Sequence, residues 1–281
     1  MMKIKKAYYI VALLPFISIV FFFEILPLIY MIKESLSTNI GSFTFEHFIK
    51  IFSSRLYLQS IYNSIWISLV SAGIGILIAF LGAKIAFEGS MKIRNIFVSI
   101  LNITSNFAGV PLAFAFMILL GNVGVLTLIG KQYGIEVLAN FDLYTSKGLL
   151  LIYIYFQIPL GTLLMLPIFT KLKKEWKEAV YILGGNHFHY WWNVALPTMM
   201  PSILSTFSVL FANALAAYGT AYALLNNNIA LLPIRISQQY IGEVVVNKQF
   251  GCALSLVMMV LMVLSVVLTH SLQKRYGGRL T

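Results

Sequence analysis

The chain has 281 residues, 59% of them hydrophobic and 10% charged, with a formal net charge of +11 and a mean hydropathy of +0.87. These values exclude an ordinary soluble domain and make lipid the main solvent. The basic residues sit in short clusters between long apolar runs, which makes them topology signals rather than a nucleic-acid surface, and the single cysteine, Cys252, rules out a disulfide or thiolate pair within the chain.

Lys3, Lys5 and Lys6 precede an apolar run that is too long for a signal-peptide core and has no small-residue cleavage pattern. It is expected to remain as the first span. Crossing about 30 Å of hydrocarbon takes roughly 20 apolar residues, and six stretches qualify: 7–31, 60–86, 96–120, 148–169, 202–225 and 250–272. An even number of spans puts both termini on one side. An inner N-terminus places Lys3, Lys5, Lys6, Lys84, Lys92, Arg94, Lys171, Lys173, Lys174, Lys177, Lys274, Arg275 and Arg279 inside, 13 of the 20 basic residues. The expected fold class is therefore all-α integral membrane, six transmembrane helices, N-in and C-in, as one transmembrane domain over 1–281.

Glu24 is the acid within the first apolar run. About eighteen residues beyond Lys6, at about 1.5 Å each, put it near the outer interface, with Pro27 following one turn later. It is read either as an interfacial, solvated carboxylate or as part of the outer mouth of a translocation path. The outer segment 33–59 holds Phe43, Phe45, Phe48, Ile51 and Phe52 among polar residues, which predicts a short amphipathic surface helix. In the third run Asn102, Ser105 and Asn106 are polar, and in the segment 121–147 glycines 121, 124, 130 and 134 interrupt any long helix. The stretch from Gly124 to Lys131 is the nearest approach to a phosphate-cradling GxxxxGK[ST] loop and fails on spacing and on Gln132, so an ATPase has to be another chain.

The fifth run is rich in small residues, Ala212, Ala214, Ala216, Ala217, Gly219, Ala221 and Ala223, around Asn213, Tyr218, Thr220 and Tyr222. Small residues allow close helix approach in lipid, and Asn213 needs a partner or water there. It is expected either to line a cavity or to hydrogen-bond another helix, and the same two readings apply to Asn106. His187 and His189 are two residues apart, about 200° around a helix, so they do not share one metal ion. With Tyr190, Trp191 and Trp192 beside them they read as interfacial.

Between the fourth and fifth runs lies the inner loop 171–197. Trp176, Ala179, Val180 and Leu183 fall on one helix face at i, i+3, i+4 and i+7. Gly184 and Gly185 stop that helix, Asn186 caps the next, and Pro197 marks a break before the following span. Helix, sharp turn, helix is a shape suited to a groove on another subunit.

At these residues the chain resembles the permease subunits of binding-protein-dependent ABC importers, the MetI-like superfamily, whose loop reads EAA, three residues, G, nine residues, I, one residue, LP. Glu178, Ala179, Val180, Gly184, Val194, Leu196 and Pro197 keep every spacing, with valine in place of the third-position alanine and of isoleucine. The resemblance implies the type I importer permease fold. It also implies a coupling element in which Glu178, Ala179, Val180, Leu183, Gly184, Gly185 and Pro197 engage an ABC ATPase dimer. ATP and Mg are then held by those ATPases, with no cofactor on this chain and no enzymatic step. A second permease, homologous or identical, and an extracytoplasmic binding protein complete the assembly in a bacterial plasma membrane. The substrate path is expected to involve Glu24, Asn106, Asn213, Tyr218 and Tyr222. Phe211 to Leu225, with Leu232, Pro233, Ile234 and Gly242, Glu243, Val244, looks most like polyamine permeases of the spermidine/putrescine type, ahead of those for 2-aminoethylphosphonate, ferric iron, thiamine or sulfate. The alternatives are an ion-gradient-driven carrier, expected to show broken helices and buried acids, and a membrane enzyme, expected to cluster catalytic groups at one face.

Overall fold

A computed structural model describes residues 13–38, 40–226, 228–241 and 247–277, with side chains to residue 274. The basic start and Gly242, Glu243 and Val244 lie outside the described residues. Among the described residues thirteen helices follow one another: α1 Leu13–Ser35, α2 Glu46–Ser53, α3 Arg55–Glu88, α4 Met91–Asn106, α5 Val110–Leu120, α6 Val125–Tyr133, α7 Glu136–Ala139, α8 Ser146–Phe169, α9 Lys174–Ile182, α10 His187–Leu215, α11 Tyr218–Leu225, α12 Leu232–Ile241 and α13 Lys248–Gly277. Among the described residues the only β pairing is an isolated bridge between Ser37 and Phe43. A helix satisfies its own backbone, and that is what hydrocarbon demands of a spanning chain.

Six helices are long and apolar enough to span: Leu13–Ser35, Arg55–Glu88, Val110–Tyr133, Ser146–Phe169, His187–Leu215 and Lys248–Lys274. Two of them depart from the expected bounds. The run 96–120 is not one helix, because α4 stops at Asn106 and α5 restarts at Val110 after Gly109, whose φ of 74° only glycine adopts readily. Pro111 then fits the first turn of α5, where no N–H is needed. The fifth span is not 202–225 either. It begins at His187 and ends at Leu215, and α11 resumes after Ala216 and Ala217.

Pro197 does not break the chain before that span. It lies inside α10, two residues after a π-turn at Trp191–Ala195 in which the Leu196 N–H reaches the Trp191 carbonyl. A proline cannot donate and crowds the carbonyl four residues earlier, and the wider turn absorbs both effects. The same device occurs in α1, where Phe21–Ile25 forms a π-turn, Leu26 N–H bonds the Phe21 carbonyl and Pro27 follows.

The chain divides into two compact units, Met1–Leu58 with Arg235–Met259 and Gln59–Ile234 with Val260–Thr281. In the first, Phe250 is the anchor: the rings of Tyr57 and His47 lie 5.0 and 6.1 Å from its centroid and the Lys50 ammonium 4.9 Å away. The surface helix is present as α2, burying Ile51 and leaving Phe52 exposed. None of the apolar window of α1 is buried, so lipid or another chain is its solvent.

In the second unit the core gathers Ile67, Leu112, Leu149, Ile152, Phe156 and Leu224. Its tightest seam runs along α3, where Ser68, Ser71, Ala72, Gly75, Ala79, Ala83 and Ala86 are buried at helical spacing. A Cβ on Gly75 would come within 2.8 Å of Gln157 Cβ, and one on Gly161 within 2.9 Å of Ala79 Cβ. Small residues therefore set the approach of α3 and α8, as expected where packing drives association in lipid.

Candidate coupling loop and translocation path

The loop is built as its residues dictate. Helix α9 ends in paired hydrogen bonds, Gly185 N–H to the Val180 carbonyl at 2.9 Å and Gly184 N–H to the Tyr181 carbonyl at 3.0 Å. This is the Schellman arrangement, and it puts Gly184 at φ 78°. The Asn186 side chain accepts from the His189 N–H at 3.0 Å and caps α10. Trp191 Nε1 donates to His187 Nε2 at 2.9 Å, while His189 Nδ1 pairs with Asn186 Oδ1 at 2.7 Å. The two histidines thus hold the turn through separate partners.

The expected apolar face does not fold back into the chain. Trp176, Ala179, Val180 and Leu183 line an open groove of about 440 Å³ completed by Val194 and Thr198. Ile182 and Leu183 are 85% and 86% exposed at the tip, and Glu178 is exposed on the same helix. Pro197 belongs to the helix beyond. The loop residues Glu178, Ala179, Val180, Leu183, Gly184 and Gly185 are therefore brought together on one rigid projection.

The path residues separate into groups. Glu24 sits on exposed α1 in the first unit, within the π-turn. α1 continues past Pro27 to Ser35, eleven residues or roughly 16 Å beyond Glu24 at 1.5 Å per residue. In the second unit, Asn106 is exposed and its amide donates to its own helix, to the Asn102 carbonyl at 2.8 Å. Asn213 Nδ2 makes a long 3.5 Å contact to Gln157 Oε1 on α8, and the residue remains exposed. Tyr218 and Tyr222 stack one turn apart at 5.2 Å between centroids, with Tyr222 45% exposed.

Sequence reasoning passed over the groups that organise this region. The two helix interruptions meet: Thr220 Oγ1 donates to the Gly109 carbonyl at 3.1 Å, and a Cβ on Gly219 would stand 3.6 Å from Gly109 Cα. Tyr153 OH donates to the Ala217 carbonyl at 2.6 Å, and Gln157 Nε2 donates to the Leu210 carbonyl at 2.6 Å. Tyr153 and Gln157 are both buried, one turn apart on α8. They give carbonyls at and before the break a side-chain donor from a neighbouring helix. Two polar side chains four positions apart in an apolar run are the signal that points to them.

On the outer segment, Gly121 ends α5, Gly124 precedes α6, and Gly134 closes α6 in the left-handed region at φ 68°. Glu136, Asn140, Asp142, Thr145 and Lys147 line a pocket of about 590 Å³ beyond it.

The model of the family described as "Binding-protein-dependent transport system inner membrane component" matches residues 75–281. The sulfate transport system permease protein CysW of Synechocystis sp. is 23% identical over 97% of this chain and 95% of its own. The spermidine/putrescine transport system permease protein PotB of Haemophilus influenzae is 25% identical over 90% of each. A crystal structure of a bacterial ABC transporter that imports the acidic polysaccharide alginate superposes with a TM-score of 0.77 at 18% identity, covering 97% of both chains. The MetNI methionine ABC transporter, inward-facing, superposes at 0.57 with 14% identity over 79% of this chain and 96% of its own. The six apolar helices, the projecting loop and the family match over more than half the length agree: the chain belongs to the binding-protein-dependent transport system inner membrane components and is a permease subunit of an ABC importer.

Proposed function

We propose that this chain forms half of a translocation path in a bacterial inner membrane, beside a second permease, and that an ABC ATPase dimer drives it by seating on the loop 171–197. The observation that carries this reading is the pair of exposed apolar residues, Ile182 and Leu183, on a helix end that the Schellman turn holds rigid. An extracytoplasmic binding protein delivers the solute from the side of α6 and α7. The permease makes no bond change, and ATP with Mg stays on the ATPases. Leu183→Asp puts a charge into the apolar contact. It is expected to leave membrane insertion intact, to abolish co-purification of the ATPase and to lower ATP-driven uptake by about tenfold or more. Uptake that persists without ATP overturns the reading in favour of an ion-gradient carrier, whose broken helices this fold shares but whose buried acids are absent from the described spans.

For the solute, a small oxyanion of the sulfate type is favoured over a polyamine. Away from their ends, the described spans hold one acid, Glu24. A polyamine carries several cations and would lose its hydration with a single carboxylate in compensation. The groups exposed around the interruptions are amides and phenols, Asn106, Asn213 and Tyr222, which donate to an anion. Uptake of labelled sulfate and labelled spermidine by the complete importer separates the two: spermidine uptake without sulfate uptake overturns the oxyanion reading.

A further inference from the structure

We propose that a basic pocket beneath the coupling helix binds the phosphate of an anionic phospholipid headgroup. Three helix ends meet there: Phe87 and Glu88 close α3, Phe169 closes α8, and His187, Tyr190 and Trp191 open α10. Together with Leu172, Lys173, Lys174 and Lys177 they line a cavity of about 330 Å³. These are the residues at which apolar spans end, so the cavity lies at headgroup depth.

Charge and chemistry select the occupant. Three ammonium groups, Lys173, Lys174 and Lys177, stand on the rim against one lining carboxylate, Glu88. Lys84 lies 4.5 Å over the Trp191 ring and Arg94 5.9 Å over Phe87, adding cations to the same wall. Among the described residues none of the three rim lysines has a carboxylate within salt-bridge distance. The start of α9 points the same way. Lys173 occupies the cap position and gives no side-chain acceptor, Lys174 follows it, and Glu175 is the acid of the first turn. An external anion there would neutralise the lysines and face the N-terminal end of α9.

The floor distinguishes a lipid from free phosphate. Phe87 and Phe169 lie 5.9 Å apart, Phe169 and Trp191 6.4 Å, and Tyr190 and Trp191 6.0 Å, an aromatic wall suited to glycerol and the upper acyl chain. A hydrated inorganic phosphate gains nothing from it. Lipid bound here would fasten the base of the coupling helix to the membrane surface.

The test uses the full chain in nanodiscs of phosphatidylcholine with or without phosphatidylglycerol, read by native mass spectrometry and by thermal unfolding. Phosphatidylglycerol is expected to be retained preferentially, by roughly tenfold, and to raise the unfolding midpoint. The variant Lys173→Gln/Lys174→Gln/Lys177→Gln should lose that preference, whereas the matched arginine variant and Lys171→Gln, outside the pocket, should keep it. Equal retention of both lipids, or a preference unchanged in the glutamine variant, overturns the proposal. A midpoint shift by inorganic phosphate equal to that by phosphatidylglycerol assigns the pocket to a free anion and overturns the lipid. If the glutamine variant does not fold, the comparison of Lys177→Gln alone with Lys171→Gln decides.

Discussion

Tyr153 and Gln157 show how a single polar atom shapes a membrane helix. Each is buried in α8 and each hands its proton to a backbone carbonyl of a neighbouring helix. Tyr153→Phe keeps the ring and removes the hydroxyl, leaving the Ala217 carbonyl without that donor. Interhelical hydrogen bonds in lipid are worth about 1 kcal/mol, so the expected loss of stability is of that order, measured as a lower unfolding midpoint in nanodiscs. Gln157→Ala also leaves a void against Gly75 and is expected to cost more, about 1–3 kcal/mol. Equal midpoints for wild type and Tyr153→Phe would show that the hydroxyl contributes nothing to the break. Asn213 was visible in the sequence as a lone amide among alanines. Gln157 was equally polar but sat among aromatic residues, where hydropathy hid it, and its partner is a backbone atom that no side-chain pattern encodes.

Among the elements, the spans were legible and their interruptions were not. Hydropathy averages over a window, and the apolar run passes through Phe107–Gly109 and through Ala216–Ala217 without a change of composition. The first break has a local mark, Gly109 two residues before Pro111. The second has none, since alanine is the best helix former, and tertiary contacts from Tyr153 and Thr220 decide it. The turn of the loop was legible, because Gly184 and Asn186 act on their own immediate neighbours. Pro197 reads as a stop for a related reason, but a π-turn before it, like the one before Pro27, lets the helix continue. The α3–α8 seam gives this scale its prediction. In Gly161→Val the added Cβ alone would stand 2.9 Å from Ala79 Cβ and 3.2 Å from Leu210 Cδ1, and its branches need more room still, so the helices have to part. Overpacking of this kind costs about 1–3 kcal/mol, and it should lower the unfolding midpoint well beyond the change caused by Gly134→Ala on the outer segment, where strain acts without a clash.

For the molecule as a whole, the orientation of the loop is the property on which import depends, because an ATPase reaches only the inner face. Charge gives the direction: Lys171, Lys173, Lys174 and Lys177 stand between the fourth and fifth spans. The chain offers a clean way to measure it. Its one cysteine, Cys252, is buried, so Leu183→Cys places a single accessible thiol at the tip, where the native side chain is 86% exposed. A membrane-impermeant maleimide is expected to label that thiol in inverted vesicles and to leave it unlabelled in right-side-out ones. The opposite pattern would turn the topology over and remove the loop from any ATPase. Adding the partner ATPase to inverted vesicles should then protect Cys at position 183 from labelling. A thiol placed on α6 at Val125, on the far side of the same topology, should react from the outside and be indifferent to the ATPase. Orientation and docking are thereby read from two positions of one chain, and protection at 183 without protection at 125 is the result that a coupling loop requires.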